Sequence, residues 1–193
     1  MLTKKIAVLF SGGGSNLEAI LEGLHGKVFG ETRIEVALTL TNKANAGGIA
    51  KAAKYGLKSV VIEHVNFTSR EEFDAAVVEE IKRANVDLTV LAGFMRILTP
   101  VFTSQVRAIN LHPSLLPLFK GAHAIKESFD SDMKVGGVSV HWVSEELDGG
   151  KIIAQRAFEK SARMSLEEFE AKIHAIEHEI LPETIVQILT DKE

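Results

Sequence analysis

Asn110 and His112 place an amide and an imidazole at the predicted end of an apolar strand. Because side chains alternate along a strand, residues two positions apart lie on the same face. Pro113 holds His112 in an extended conformation and ends the strand. An amide N–H can stabilise a developing oxyanion, and an imidazole can transfer a proton near neutral pH. The pair therefore indicates catalysis at the mouth of a sheet, although a lone histidine at a strand end is more often structural.

Asp148 is the carboxylate that would complete such a site. Gly149 and Gly150 follow it, so the chain can turn sharply there and expose the side chain. A carboxylate beside His112 would favour the imidazolium form. Asp-Gly-Gly is also an ordinary turn sequence, and the residues alone do not show that Asp148 reaches His112.

A glycine-rich turn, Ser-Gly-Gly-Gly-Ser-Asn at residues 11–16, indicates a site for an anion. Consecutive glycines let backbone N–H groups converge, and the helix that follows adds unpaired donors and partial positive charge. Leu17 replaces the last glycine of a dinucleotide fingerprint, and no Gly-Lys-Ser/Thr follows, so a monophosphate ester fits better than a dinucleotide or triphosphate. Alternatively, the glycines serve only tight packing, with Ser15 or Asn16 capping the helix.

Arg70 gives a weaker indication of an anion. It falls in the first turn of a predicted helix, where the helix dipole disfavours a cation. A bound anion would offset that effect, but an arginine at such a position is more often simply solvated.

His174, Glu177 and His178 match the H-x-x-E-H pattern of some zinc peptidases. The two histidines are four positions apart on one predicted helix and could share a metal. No second acidic ligand is marked elsewhere, and the histidines lie beside an apolar stripe, so we expect no metal site. Glu177 borders that stripe and could reach a cleft. We expect three further histidines to be structural or solvated: His25, His64 and His141.

Short apolar runs alternate with helical patterns and predict an α/β fold. The predicted strands are residues 5–10, 34–41, 59–63, 88–92, 108–111, 137–143 and 152–158. The predicted helices are residues 16–25, 44–55, 70–84 and a C-terminal helix that kinks or restarts at Pro182. Ser69 and Ser165 each precede a glutamate by three positions, which is typical of helix starts. Together they predict a Rossmann-like open, mainly parallel twisted sheet of about seven strands with helices on both faces.

Composition excludes several classes of protein. The 193 residues contain no cysteine, so disulfide scaffolds, cysteine nucleophiles and Cys-ligated metal sites are absent. The net charge is −4, with 22 basic and 26 acidic residues, which does not favour nucleic acid as a partner. No apolar run approaches the roughly 20 residues of a membrane span. We expect a cytoplasmic protein that binds neither nucleic acid nor membranes and holds anionic ligands by local devices.

Seven segments together make the chain resemble the phosphoribosylglycinamide formyltransferase family of folate-dependent enzymes. They occur in the family's order and cover nearly the whole chain. The segments are Ser-Gly-Gly-Gly-Ser-Asn-Leu at 11–17, Thr-Asn-Lys-Ala at 41–44, Leu-Ala-Gly-Phe-Met-Arg-Ile-Leu at 91–98, Asn-Leu-His-Pro-Ser-Leu-Leu-Pro at 110–117, Gly-Ala-His at 121–123, Val-His at 140–141 and Glu-Leu-Asp-Gly-Gly at 146–150.

The resemblance implies formyl transfer from the co-substrate 10-formyltetrahydrofolate to the amine of glycinamide ribonucleotide in purine biosynthesis, without a metal. The implied catalytic residues are Asn110, His112 and Asp148. The implied contacts to the ribonucleotide are Gly14, Ser15, Asn16, Arg70 and Glu177. The implied folate contacts are the backbone of Met95, Arg96, Ile97 and Leu98, and a closing loop with Ser144, Glu145, Glu146 and Leu147. In this interpretation residues 1–193 form one domain, with the phosphoribosyl-substrate half at about 1–100 and the folate and catalytic half at about 101–193.

The sequence departs from the family pattern at two positions. Ile125 stands where the family often has a histidine, which affects the loop at residues 120–125, and Val138 replaces a common threonine.

Two other functions remain as alternatives. A formyltetrahydrofolate hydrolase, or another formyltransferase, could use the same Asn/His/Asp site with a different acceptor. We expect the hydrolase less, because only ten residues precede the glycine turn, where that family carries a further domain. A non-enzymatic nucleotide-binding module would leave Asn110 and His112 without a role. The residues do not distinguish a monomer from a homodimer.

Overall fold

The computed structural model describes residues 1–191 and contains an eight-stranded sheet. The strands are Leu2–Phe10 (β1), Val28–Phe29 (β2), Thr32–Thr41 (β3), Val60–Val61 (β4), Leu88–Leu91 (β5), Ala108–His112 (β6), Val135–Trp142 (β7) and Ile152–Glu159 (β8). Their order is β2-β3-β1-β5-β6-β7-β8, and β4 pairs with β3. The pairs β1–β3, β1–β5, β3–β4 and β5–β6 are parallel. The others, β2–β3, β6–β7 and β7–β8, are antiparallel.

The predicted mainly parallel open sheet is confirmed, with one strand more than the seven predicted. The extra strand is β2, which is only two residues long and pairs with the start of β3. Two residues are too few to show any hydrophobic period, so no sequence pattern marks this strand. The predicted strand at 59–63 shortens to β4 at the outer side of β3.

Within residues 1–191, six α-helices and one 3-10 turn, His64–Asn66, complete the fold. The helices are Ser15–Leu24 (α1), Gly48–Lys54 (α2), Arg70–Ala84 (α3), Pro100–Thr103 (α4), Ala124–Asp130 (α5) and Leu166–Thr190 (α6). Ser69 and Ser165 accept hydrogen bonds from the backbone N–H of Glu72 and Glu168, so both predicted N-terminal caps form.

β1 divides the hydrophobic core into two layers. Ile6, Val8 and Phe10 belong to the layer that contains the apolar faces of α1 and α6. Ala7 and Leu9 belong to the other layer, with the apolar face of α3. Because successive side chains point to opposite sides of the sheet, a strand covered on both faces must be apolar throughout. This is why residues 6–10 form an unbroken apolar run.

The helix predicted at 44–55 is wrong at its start, because α2 begins only at Gly48. Residues 44–47 instead form turns that bring Gly48 against the glycine-rich turn, where its N–H donates to the Gly12 carbonyl at 3.1 Å. A Cβ atom on Gly48 would lie 2.5 Å from the Phe10 ring. The close approach of the Gly48 backbone to the glycine-rich turn is a tertiary contact, and it decides where α2 starts.

Of the two alternatives predicted at Pro182, a restart is wrong, because α6 runs unbroken from Leu166 to Thr190, and a kink stays a prediction. Proline removes one backbone donor from a helix and usually breaks it. Here Thr184, Ile185 and Leu189 beyond the proline are buried. Their packing against the sheet and α1 offsets the lost hydrogen bond.

Between β6 and β7 the chain forms a loop at residues 113–123 and then α5. The Leu116–Pro117 peptide bond, whose isomer the sequence leaves open, is cis. Among the residues described, no helix is both long enough and apolar enough to cross a membrane.

Candidate active site

A cavity of about 400 Å³ opens at the C-terminal ends of β5 and β6. This volume falls in the range of small-molecule sites. The carboxyl ends of parallel strands are where open α/β sheets bind ligands. The lining comes from the ends of β5 and β6, from the segments that follow them, and from the loop after β7. It comprises residues 91, 93–98, 110–113, 121–122, 141 and 143–148.

Asn110, His112 and Asp148 come together in this cavity. The His112 Nδ1 atom lies 3.5 Å from Asp148 Oδ2, and the Asn110 Nδ2 atom lies 3.4 Å from Asp148 Oδ1. The side chains of His112 and Asp148 are only 5% and 7% exposed. Residues far apart in sequence thus form one amide–carboxylate–imidazole cluster.

The second ring nitrogen of His112 is also occupied. Its Nε2 atom lies 2.7 Å from the carbonyl oxygen of Phe119. A carbonyl oxygen can only accept, so Nε2 carries a hydrogen and donates it. If Nδ1 also carries a proton, the ring is an imidazolium held between the Asp148 carboxylate and the Phe119 carbonyl.

His141, which we expected to be structural or solvated, belongs to the same cluster. Its Nε2 atom lies 3.2 Å from Asn110 Nδ2 and 3.7 Å from Asp148 Oδ1, and the residue is 2% exposed. Its Nδ1 atom donates to the Trp142 carbonyl at 2.9 Å, because a carbonyl oxygen can only accept. Antiparallel pairing of β6 and β7 places His141 directly opposite Asn110. The Val-His segment at 140–141 is the sequence feature that marks His141, but periodicity cannot show which strand pairs with the strand that carries it.

The surroundings of Asp148 keep its carboxyl group ionised. Burial by itself raises its pKa, but interactions with His141, the Gly121 N–H and the charge of His112 outweigh burial and lower the pKa below its usual range. The Gly121 N–H donates to Asp148 Oδ2 at 2.8 Å.

The backbone of Asp148 has a left-handed φ of 51°, an uncommon conformation for a residue with a side chain. A Cβ atom on Gly150 would overlap the Trp142 carbonyl oxygen. The Asp-Gly-Gly sequence therefore permits a tight turn that presents the carboxylate to the cluster.

Two segments form much of the wall of the cavity. Residues 94–99 have no regular secondary structure, and the side chains of Met95 and Ile97 are 68% and 56% exposed. The facing loop contributes Ser144, Glu145, Glu146 and Leu147. Lys120 pairs with Glu146 at 2.6 Å. All eight residues predicted to contact folate line this one cavity, together with the catalytic candidates.

The glycine-rich turn lies beside a second polar cluster. Gly14, with φ of 73°, is the N-cap of α1 and provides no side-chain cap, so neither Ser15 nor Asn16 caps the helix. The Asn16 Nδ2 atom donates to Glu177 Oε2 at 3.2 Å. Glu177 is 5% exposed although it lies on α6, distant in sequence. The structure thus joins the predicted ribonucleotide residues Gly14, Ser15, Asn16 and Glu177.

Arg70 is placed differently from the other ribonucleotide candidates. It is the first residue of α3, and its side chain is exposed. It does not line the 400 Å³ cavity. Its position at a helix N-terminus is as predicted.

Within the H-x-x-E-H pattern, His174 contacts Glu177. The His174 Nδ1 atom lies 2.9 Å from Glu177 Oε2, the same oxygen that accepts from Asn16. Across residues 1–191, no group of three or more histidine, aspartate or glutamate side chains is arranged to hold a metal ion.

Known proteins that are similar to this chain identify its family. The formyl transferase family matches residues 4–185. A crystal structure of phosphoribosylglycinamide formyltransferase from Campylobacter jejuni is 64% identical and covers 98% of this chain and 99% of its own, with a TM-score of 0.96.

Relatives of similar sequence identify the group within the formyl transferase family to which the chain belongs. Phosphoribosylglycinamide formyltransferase from Bacillus subtilis is 37% identical over 188 residues, covering 96% of this chain and 95% of the relative. The trifunctional purine biosynthetic protein adenosine-3 of Drosophila pseudoobscura is 40% identical over 184 residues, or 94% of this chain. The chain spans only 13% to 18% of the length of such trifunctional relatives. The chain belongs to the formyl transferase family and, within it, to the phosphoribosylglycinamide formyltransferases.

Proposed function

We propose that the protein transfers the formyl group of 10-formyltetrahydrofolate to the amine of glycinamide ribonucleotide, giving formylglycinamide ribonucleotide in de novo purine biosynthesis. The observation that carries the proposal is the cluster of Asn110, His112 and Asp148 in the cavity at the ends of β5 and β6. Two relatives that are named for this reaction align with the chain over nearly their whole length, and they support the choice of substrates.

The chemical step is an attack of the amine nitrogen on the formyl carbon. Negative charge develops on the formyl oxygen, and the Asn110 amide and the His112 imidazolium stabilise it. The His112 Nε2–H currently donates to the Phe119 carbonyl, so the formyl oxygen has to replace that carbonyl as the acceptor. Asp148 keeps His112 charged and helps relay the proton lost by the amine, through water, to the departing folate nitrogen.

The folate would occupy the apolar cavity. In the proposed mode its pterin part contacts the backbone of residues 95–98, and the loop at residues 144–147 closes over the ring. An apolar pocket with a few convergent polar groups suits a flat heteroaromatic ring. The proposed reaction uses the folate as a co-substrate and involves no metal.

The ribonucleotide would lie between the catalytic cluster and the glycine-rich turn. Its phosphate would bind at Gly14, Ser15 and Asn16, at the N-terminus of α1. Glu177 would contact the sugar or glycinamide portion, and Arg70 would add positive charge.

The division of the domain into halves remains part of the proposal. Residues from about 1–100 would bind the phosphoribosyl substrate, and residues from about 101–193 would bind folate and carry the catalytic groups. Segment 95–98 would reach across this approximate boundary to the folate. The protein would act as a monomer or a homodimer.

The test is a formyl-transfer assay with purified protein. Formylglycinamide ribonucleotide and tetrahydrofolate should form in equal amounts, and tetrahydrofolate release should depend on added glycinamide ribonucleotide. Equal release with and without the ribonucleotide would instead identify a hydrolase.

A further inference from the structure

The segment at residues 94–99 walls the cavity without being part of a helix or strand. Sheet and helix hydrogen bonds therefore cannot set its conformation, and the exposed side chains of Met95 and Ile97 contribute little packing. A segment that recognises a ligand through its backbone nevertheless needs a defined geometry. Contacts from elsewhere in the molecule must supply it.

The first of these contacts is with Ser11. Its Oγ atom accepts the Met95 N–H at 2.8 Å and donates to Asn42 Oδ1 at 2.6 Å. Its backbone N–H donates to the Gly93 carbonyl at 3.0 Å. Ser11 and Asn42 are 3% and 2% exposed, so the hydrogen bond between them is buried. The start of the segment is thereby tied to the end of β1.

The second contact is with Asp74 on α3. A single carboxylate oxygen, Oδ2, accepts both the Thr99 N–H at 2.6 Å and the Thr99 hydroxyl at 2.7 Å. Asp74 is 1% exposed and Thr99 is 5% exposed. The end of the segment is therefore tied to α3. The other oxygen of Asp74, Oδ1, is buried and accepts no hydrogen bond from residues 1–191.

The neighbour of Asp74 supports the middle of the segment. The Phe73 ring stacks on Phe94 with centroids 6.3 Å apart, and the Arg96 guanidinium lies 5.2 Å from the centre of the Phe73 ring. The charge of Arg96 also acts favourably on Asp74. Two adjacent residues of one helix thus hold the segment at Phe94, Arg96 and Thr99.

We propose that Ser11 and Asp74 are positioning residues for the folate: they fix the two ends of the segment at residues 95–98 and so set the backbone geometry that the pterin ring meets. The proposal rests on the proposed function, because it assumes that this backbone binds folate. A segment already held in its bound conformation loses less entropy when the ligand binds. Freeing either end should weaken folate binding without altering the catalytic cluster itself.

The test compares Asp74→Ala with Asp74→Asn and with a control, Asp87→Ala. Asparagine keeps an acceptor oxygen for Thr99 and should rescue binding. Asp87 also accepts a backbone N–H, from Lys5 at 2.8 Å, but it lies just before β5, at the opposite end of the strand from the cavity. For each variant the dissociation constant of tetrahydrofolate is measured by calorimetry, and kcat and the KM for each substrate are measured in the transfer assay.

Asp74→Ala should weaken tetrahydrofolate binding by about tenfold or more and raise the KM for the formyl donor by a similar factor, with a smaller change in the KM for the ribonucleotide. Asp74→Asn should lie within about threefold of the wild type, and Asp87→Ala should lower thermal stability only. The proposal is overturned if Asp74→Ala binds tetrahydrofolate as the wild type does, or if Asp87→Ala weakens it equally.

If Asp74→Ala does not fold, Ser11→Ala tests the positioning role independently. Loss of the Ser11 hydroxyl should weaken tetrahydrofolate binding several-fold, and wild-type binding in this variant would contradict the proposal. The wild-type protein is measured first. Failure of the wild type to bind tetrahydrofolate would refute the proposed function, whereas normal wild-type binding with unaffected variants would refute only the positioning role.

Discussion

Asp74 and Asp148 are two buried carboxylates that support one cavity from different regions, and their environments shift their pKa values in opposite directions. Burial raises the pKa of Asp74, and its hydrogen bonds from Thr99 and the charge of Arg96 do not compensate. Burial also acts to raise the pKa of Asp148, but two histidines and the Gly121 N–H lower it overall. The difference lies in the number and charge of the partners.

The two carboxyl groups serve different purposes. Asp148 faces His112 and His141, and its contribution to the cluster depends on its negative charge. Asp74 serves as a hydrogen-bond acceptor for Thr99, and an acceptor oxygen remains when the group is neutral. Removing the charge should therefore abolish one role and preserve the other.

The largest effect should come from removing the imidazole beside Asp148. We expect His112→Ala to fold and to lose about 10²–10⁴-fold in kcat, because proton transfer and oxyanion stabilisation by the imidazole are lost. Steady-state formyl transfer and circular dichroism check both expectations. His25→Ala is the matched control: His25 accepts the Val36 N–H at 3.1 Å, so its loss should affect stability and spare kcat. A rate near that of the wild type for His112→Ala would refute the assignment.

A smaller effect should distinguish the two carboxylates directly. Asp148→Asn should lower kcat by about 10²-fold, because a neutral amide cannot stabilise the His112 imidazolium. Asp74→Asn should stay within a few-fold of the wild-type kcat. Both variants are measured at saturating concentrations of the two substrates, so that altered binding does not enter. Equal losses in kcat would show that the charge of Asp74 also matters to catalysis.

The smallest effect concerns the pH dependence of stability. The folded-state pKa of Asp148 lies below the ordinary 3.8, so its carboxylate stabilises the fold above that pH and the contribution is lost as pH falls through the lowered value. The folded-state pKa of Asp74 is raised above 3.8, so its contribution is complete below that pH and is lost as pH rises through the raised value.

Urea unfolding at a series of pH values checks these signs. Relative to the wild type, Asp148→Asn should become less stable as pH rises towards 3.8 and then level off. Asp74→Asn should improve relative to the wild type as pH rises beyond 3.8. Parallel pH profiles for the two variants would contradict the opposite shifts.

Local chemistry made much of the fold predictable. Ser69 and Ser165 precede glutamates at capping distance, and both cap their helices in the structure. The helix predicted at 70–84 has those bounds in the structure. Contacts between distant parts of the chain were not predictable in the same way: the late start of α2 follows from the approach of Gly48 to the glycine turn, and the continuity of α6 through Pro182 follows from packing beyond it.

By itself, the sequence determined which chemical groups were available and which strand end would carry Asn110 and His112, because alternation and capping depend on neighbours along the chain. Only the tertiary structure decided what those groups meet. Pairing of β6 with β7 placed His141 opposite Asn110, and the turn at Asp148 brought the carboxylate to both. Packing of α3 on the sheet likewise placed Asp74 against Thr99. Strand pairing and helix packing join residues that no local pattern relates, so the partners of each group, and with them its charge, depend on the fold.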